Sequence, residues 1–437
     1  MLIEFSVANF RSIHKRQTLS LVANNRDGEL PDNCIELDVP GLANTRLLRS
    51  AIIYGANASG KSNIVRSMDF MSEFVAESAV RLKPGSKTGV VPFRLDTQAA
   101  QSPSEFEVHF IHNQIRYQYG FTLDSQRVHT EYLVSYPRGR ARELFRRELV
   151  IRGTASEHKW HFSPRYLSGD KQMLVSATRP NALFLSTGAQ LNHEDLGAVY
   201  EWFTDGLYVL ECRNWLEMSR ARDHAAELLL HSHGDRAVVE SLRQADLGIL
   251  DVHVEEEWVD PPGSLQRRIA EDLPSSKMEQ FQDALKMKRL KLTWLHRGTG
   301  DPNGIPFETE EESDGTIKFL SFLGLWHSML HANQAVVIDE IAAGMHPLLV
   351  RDLLNALRGP EVSSSSAQLV LTTHDTTLLD QSLFRRDQIW FTEKDKTGAT
   401  TLYPLTDFKP RNKEALQKGY LAGRYGAIPF IEGDFTF

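Results

Sequence analysis

A chain of 437 residues, 41% hydrophobic and 24% charged, is long enough for roughly two or three structural units around a sizeable core. A net charge of −8 gives no overall attraction to nucleic acid. The two cysteines, Cys34 and Cys212, lack metal-ligand spacing, which excludes a disulfide scaffold or zinc module and points to a reduced, cytoplasmic protein.

The opening Met1-Leu2-Ile3-Glu4-Phe5 has no basic stretch followed by an apolar one, so no secretion signal is expected. The apolar run Ala51-Ile52-Ile53-Tyr54 predicts a strand, and Gly55-Ala-Asn-Ala-Ser-Gly60-Lys61-Ser62 follows it directly. This is the P-loop pattern G-x-x-x-x-G-K-[ST]. Its glycines let the backbone turn tightly and bring N–H groups against a polyphosphate, and the following helix aims its positive end at the same phosphates. Gly55, Asn57, Ala58, Ser59, Gly60, Lys61, Ser62 and Asn63 are therefore the candidate nucleotide-binding residues. Lys61 would meet the β- and γ-phosphates and the Ser62 hydroxyl would sit on Mg²⁺. The helix is predicted over Lys61–Ala76, with Ile64, Met68, Met71 and Val75 on one face.

Phe106, Val108 and Phe110, then Tyr117, Tyr119, Phe121 and Leu123, alternate with polar residues. They predict two antiparallel strands joined at His112-Asn113-Gln114. Arg138, Arg140, Arg142, Arg146, Arg147 and Arg152 follow, interrupted by Glu143 and Glu148. They suit either a nucleic-acid phosphate backbone or a solvated loop and helix face. Residues 166–246 read as an inserted helical lobe. Within it His224 and His231 share a helix face but His233 does not, so no metal site is expected there. Leu290–Trp294 predicts a strand, followed by a Gly/Pro loop, Gly298–Pro306, and a solvated acidic run, Glu308 to Glu312. Ser313-Asp314-Gly315-Thr316 then starts a helix over Ile317–Leu330. Ser or Asp there is an N-cap, and bare N–H groups with a hydroxyl also suit an anion. The uncharged stretch Phe319–Ile338 holds Ser321, His327, Ser328, His331, Asn333 and Gln334, so a buried helix and strand are expected and no membrane span.

Ala335-Val336-Val337-Ile338-Asp339-Glu340 reads as a central parallel strand ending in two carboxylates. Ligands bind at the carboxyl ends of such strands. Asp339 would help hold Mg²⁺ and Glu340 would polarise the attacking water. A helix over Pro347–Leu357 returns the chain to a second apolar run, Gln368–Thr373, ending at His374. His374 is then placed at the same sheet edge, where an imidazole can donate to the γ-phosphate. Glu340, His374 and Lys61 are the candidate catalytic residues. GTP is not expected, because Ala415 in Asn412-Lys413-Glu414-Ala415 stands where a guanine-reading carboxylate belongs.

P-loop, Ser-x-Gly-Thr, Asp-Glu and His in this order resemble the ABC-type ATPase heads of the RecF, SMC and OLD lineage. The opening Ile3–Ser12 is similar to the first strand and Asn-Phe-Arg-Ser signature of those heads, which adds Arg11 to the candidate nucleotide-binding residues. Pro92-Phe93-Arg94-Leu95-Asp96, Gln244–Ile249 and Gly423-Arg424-Tyr425-Gly426 resemble compact AAA/ABC-like ATPases of anti-phage and abortive-infection operons, such as AbiL-type and PARIS-type systems, with Septu ATPases as cousins. The resemblance implies an α/β fold: an ABC-type P-loop ATPase head with an antiparallel β lobe and an inserted helical lobe. The expected division is residues 1–165, 166–246 and 247–437. It also implies a homodimer or larger homo-oligomer with ATP at the interface, Ser313 and Gly315 reaching the γ-phosphate across it. Two departures stand out: the signature reads Glu-Ser-Asp-Gly-Thr, and the loop Ile341–Pro347 lacks the usual aspartate. Gln98 is a candidate for a Q-loop. The stretch after His374 is too short for the nuclease domain of OLD proteins, and no heptads support coiled-coil arms.

The expected function is an ATP-binding and hydrolysing, Mg²⁺-dependent switch. Nucleotide-driven dimerisation would control a separate effector protein, such as a nuclease, in anti-phage defence. The alternative is a RecF-like DNA-binding repair ATPase, in which the arginine cluster meets nucleic acid. A self-contained nuclease is a third, weaker reading.

Overall fold

Apolar residues in alternation build the first sheet. Strands β1 (Leu2–Ala8) and β2 (Gln17–Ser20) pair antiparallel, and a short hairpin of β3 (Cys34–Glu36) and β4 (Arg46–Leu48) leads into β5 (Ser50–Gly55). Every residue of β5 is buried, as a strand covered on both faces requires. Helix α1 (Lys61–Glu77) follows the glycine loop and buries Ile64, Val65, Met68, Met71, Phe74 and Val75. The computed structural model describes residues 1–153, 155–231, 236–245, 247–260, 286–299, 304–358, 362, 364–412 and 414–429. His233, Asp246, Lys413 and parts of the Gly298–Pro306 and Ser363–Ser366 loops lie outside them.

Strands β6 (Ser104–His112), β7 (Ile115–Leu123), β8 (Val128–Tyr136), β9 (Arg142–Arg152) and β10 (Ala155–Phe162) form a meander. The sheet order is β10-β9-β8-β7-β6-β1-β2. Asn113 and Gln114, with φ of 48° and 61°, make the two-residue turn between β6 and β7, a mirror-type turn whose twist suits a hairpin. Helices α2 (Lys171–Ala177), α3 (Phe184–Gln190) and α4 (Glu194–Glu201) come next. Then the chain makes a strand that the sequence reading placed inside a helical lobe, β11 (Leu207–Glu211).

The molecule divides into two compact units. The first comprises Met1–Arg213, Met329–Ala343 and Val350–Phe437, the second Asn214–Ser328 and Gly344–Leu349. The division therefore runs through the expected 166–246 lobe: its first part, with β11, belongs to the first unit. In the second unit, α5 (Trp215–His231) and α6 (Arg236–Gln244) precede a three-stranded antiparallel sheet of β12 (Ile249–Val259), β13 (Met287–His296) and β14 (Ile305–Glu308). Helix α7 (Asp314–Ala332) leads back to the first unit.

There the chain adds β15 (Ala335–Asp339), α8 (Pro347–Ala356), β16 (Gln368–Thr372), β17 (Ile389–Lys394), β18 (Thr400–Pro404) and α9 (Leu416–Leu421). The second sheet of this unit runs β11-β15-β16-β5-β17-β18, parallel throughout except for β18. One hydrophobic cluster joins the two sheets through α1. It takes Phe106, Val108 and Phe121 from one sheet, Ile53, Val337 and Val370 from the other, and Ile64, Met68 and Phe74 from the helix. The α/β class and the antiparallel lobe are as the sequence led us to expect. Among the described residues no helix is long and apolar enough to cross a membrane.

Candidate functional site

Parallel pairing puts the carboxyl ends of β5, β15 and β16 on one rim. Leu371 of β16 stands opposite both Ile52 and Ile338. The P-loop leaves β5 at that rim. A Cβ on Gly55 would fall 2.5 Å from Ser59 Oγ and from Thr392, and a Cβ on Gly60 would fall 2.1 Å from Thr400 Oγ1. Gly60 also has φ of 114°, which side chains rarely adopt. Asn57 and Ala58 face solvent, and Ser62 and Asn63 are half-buried at the start of α1.

A ring of hydroxyls holds the loop from behind. Ser59 Oγ lies 2.7 Å from Thr392 Oγ1, and Thr400 Oγ1 donates to the Ser59 carbonyl at 2.9 Å. Ser12 bonds Thr400 through its hydroxyl at 2.8 Å and accepts the Asn63 amide at 2.7 Å. This gives the Asn-Phe-Arg-Ser segment a physical role. Asn9 donates to the carbonyls of Ala99 and Ser102 and accepts the Phe93 N–H, Phe10 packs on Phe70 and Phe106, and Ser12 braces the P-loop. Arg11 is exposed; partial burial and the nearby Arg66 lower its pKa, with Glu211 opposing. Thr392 and Thr400 escaped the sequence reading because isolated hydroxyl residues on strands carry no pattern.

Lys61 lies buried under the loop. Its ammonium donates to the carbonyls of Gly55 at 2.9 Å and Ala56 at 3.4 Å, and stands 3.9 Å from Glu340. Thr372 organises the acidic pair: its hydroxyl donates to Asp339 Oδ1 at 2.6 Å and accepts the Glu340 N–H at 2.9 Å. Glu340 has φ of 60°, a left-handed conformation costing about 1–2 kcal/mol for a residue with a side chain. That turn leaves its carboxylate 2.9 Å from His374 Nε2, while His374 Nδ1 lies 3.3 Å from the Lys61 ammonium. The same ammonium stands 3.0 Å from His374 Nε2, so lysine, imidazole and carboxylate form one close cluster. Burial pushes the Glu340 pKa up, but the His374 hydrogen bond and the charges of Lys61 and Arg213 outweigh it, so the carboxyl sits below its usual range. The structure thus brings Lys61, Asp339, Glu340 and His374 to one rim, with the P-loop strand and the acidic strand separated only by β16.

Burial lowers the Lys61 pKa to about 8, with Glu340 and Asp339 opposing the shift. A phosphate bound there raises it again, so binding takes up a proton once the free lysine titrates. Nucleotide affinity is therefore expected to weaken as pH rises above 8, approaching roughly tenfold per pH unit. Titration of a fluorescent ATP analogue on either side of pH 8 checks this; constant affinity across that range contradicts it.

Other candidates belong to other elements of the chain. Ser313 and Gly315 belong to the second unit. Ser313 Oγ accepts the Thr316 N–H at 3.1 Å as the cap of α7, and a Cβ on Gly315 would fall 2.9 Å from the Gly344 carbonyl. Gln98 is exposed in the turn before β6. The acidic run is more than a solvated loop: Glu312 meets His296, and Glu308 pairs with Lys291. The six arginines do not form one face. Arg147 is fully buried against Glu131, Arg146 pairs with Glu143, and Arg142 lies over Tyr166; Arg138, Arg140 and Arg152 are exposed.

A glycine loop clamped at the rim of a parallel sheet, with its lysine meeting an acidic pair on a neighbouring strand, defines a P-loop nucleotide-binding core. Residues 50–380 match the family described as "AAA domain, putative AbiEii toxin, Type IV TA system", and the chain belongs to this family of AAA ATPase domains. No curated protein matched. Among solved structures, the chain is similar to an SMC head bound to the C-terminal winged-helix domain of ScpA. The identity is 12% and the TM-score 0.38, covering 92% of this chain and 96% of the other. It is also similar to the SMC head domain from Thermotoga maritima, at 11% identity and TM-score 0.37, covering 92% and 98%. Both likenesses are remote.

Proposed function

We propose that this ATPase is a nucleotide-driven switch whose two copies close around ATP and separate after hydrolysis, gating a separate effector protein. The observation that carries the reading is the Lys61–His374–Glu340 network at the mouth of the P-loop. Lysine, base and hydrogen-bond donor already touch in the one place where phosphates would enter.

The residues fit magnesium triphosphate. Gly55 and Gly60 leave a cradle that a Cβ would fill, and Lys61 spends its protons on backbone carbonyls that a phosphate would replace. The Ser62 hydroxyl and Asp339 would hold Mg²⁺ beside the phosphates, and the ion would neutralise charge there. Gly55 to Asn63 would bind the phosphates through backbone N–H groups, with Arg11 beside them. Glu340, kept ionised, would accept a proton from water, and His374 would donate to the γ-phosphate. The helix start at Ser313 and Gly315 of one copy would meet the γ-phosphate held by the other.

The cytoplasmic setting and the role in anti-phage defence, with a nuclease-like effector, follow from the resemblance to abortive-infection ATPases. Light scattering tests the switch. With Mg²⁺ and ATP the wild type is expected to double its mass, and Lys61→Ala to stay unchanged. Equal, nucleotide-independent masses contradict it.

A RecF-like clamp keeps only Arg138, Arg140 and Arg152 as exposed members of the arginine cluster. We expect no DNA binding in a low-salt titration with or without ATP, because few phosphate contacts give little counterion release. Salt-dependent binding would instead favour the clamp.

A further inference from the structure

The strand missing from the sequence reading carries a residue that no motif flagged. β11 pairs with β15 in parallel, with Glu211 opposite Asp339. The Cys212 N–H continues the ladder to the Asp339 carbonyl at 3.2 Å. Arg213 therefore emerges one residue further on, at the rim that holds Asp339, Glu340 and the P-loop.

Two arginines here differ in their surroundings. Arg66 is neutralised by Glu211, with its Nε 2.9 Å from Oε1. Arg213 is exposed and forms no ion pair among the described residues. Its charge reaches both Lys61 and Glu340, lowering the pKa of each. Lys61 and Arg213 thus face one rim as like charges. The two carboxylates on the rim have partners of their own, Glu340 in His374 and Asp339 in Thr372. A second, exposed cation at this rim is complementary to an anion that brings more charge than Lys61 alone can meet.

We propose that Arg213 is a further nucleotide-contacting residue, binding the terminal phosphate from the edge strand and so distinguishing a triphosphate from a diphosphate. This rests on the nucleotide site proposed above. The inner phosphates are served by the backbone N–H groups of the loop, and Glu340 and His374 face the terminal one. A guanidinium whose charge reaches Glu340 would meet the group that hydrolysis removes. A bound diphosphate leaves Arg213 to solvent.

The test is equilibrium binding of a non-hydrolysable ATP analogue and of ADP, each with Mg²⁺, to the wild type, Arg213→Ala and Arg213→Lys. Loss of a charge-assisted phosphate contact is expected to weaken the triphosphate analogue roughly 10–100-fold in Arg213→Ala. ADP binding stays unchanged, and Arg213→Lys recovers part of the loss. Equal weakening of both nucleotides, or a drop in thermal stability that accounts for it, would show a structural role and overturn the proposal. Unchanged affinity for both would mark an ordinary solvated arginine and overturn it as well. Wild type that binds neither nucleotide would instead overturn the site reading itself.

Discussion

Glu340→Gln is expected to slow ATP hydrolysis by roughly 10²–10⁴-fold, the usual contribution of a positioned general base, while ATP still binds. The amide keeps the shape of the side chain and can still accept from His374 Nε2–H, 2.9 Å away in the wild type. What it loses is the basic oxygen. The carboxylate is ionised because His374 and the positive charges of Lys61 and Arg213 outweigh the cost of burial. Asp339 is untouched, since Thr372 holds it independently. A variant that binds but does not hydrolyse should accumulate as the ATP-closed dimer. Phosphate release and light scattering on the same sample read both halves. Wild-type turnover in Glu340→Gln would remove Glu340 from the chemistry.

The largest stability effect is expected away from the nucleotide. Glu131 and Arg147 form an ion pair at 3.6 Å with no exposed side-chain area. Glu131 also accepts the N–H groups of Phe184 and Leu185, at 2.7 and 3.0 Å, and the Tyr119 hydroxyl at 3.0 Å. Arg147 in turn donates to the Ala182 carbonyl at 2.7 Å. The pair ties β8 and β9 to the first turn of α3. Burial pushes the Glu131 pKa up against Arg147 and these hydrogen bonds. Glu131→Ala strands a buried guanidinium and two N–H groups, so unfolding free energy should fall by about 3–5 kcal/mol. Replacing both partners with apolar residues of similar volume should cost much less, because no uncompensated charge remains. Urea denaturation of the single and double variants tests this. Equal losses in both would mean that the cost is one of packing.

The legible parts of this protein were those where chemistry dictates a local pattern. The P-loop, the apolar run ending at Asp339-Glu340, and the run ending at His374 each combine a strand signal with residue types that suit phosphate chemistry. Alternation likewise exposed the β6–β7 hairpin. The illegible parts depend on who meets whom in space. Thr372 acts through the Asp339 carboxylate and the Glu340 N–H, and Thr400 through a loop that lies far from it in sequence. β11 is five residues long, only one of them fully buried, and it offers no period to detect. Arg146 and Arg147 looked like one charged patch, yet successive residues of a strand point to opposite faces. One therefore lies over Tyr132 while the other enters the core.

A crystal structure with Mg²⁺ and a non-hydrolysable ATP analogue probes the shared rim most directly. The expected density shows the terminal phosphates between the P-loop backbone, Lys61 and His374, with the ion beside Ser62 and Asp339. A nucleotide bound elsewhere, or a rim left unchanged with Lys61 still held by the Gly55 and Ala56 carbonyls, contradicts it.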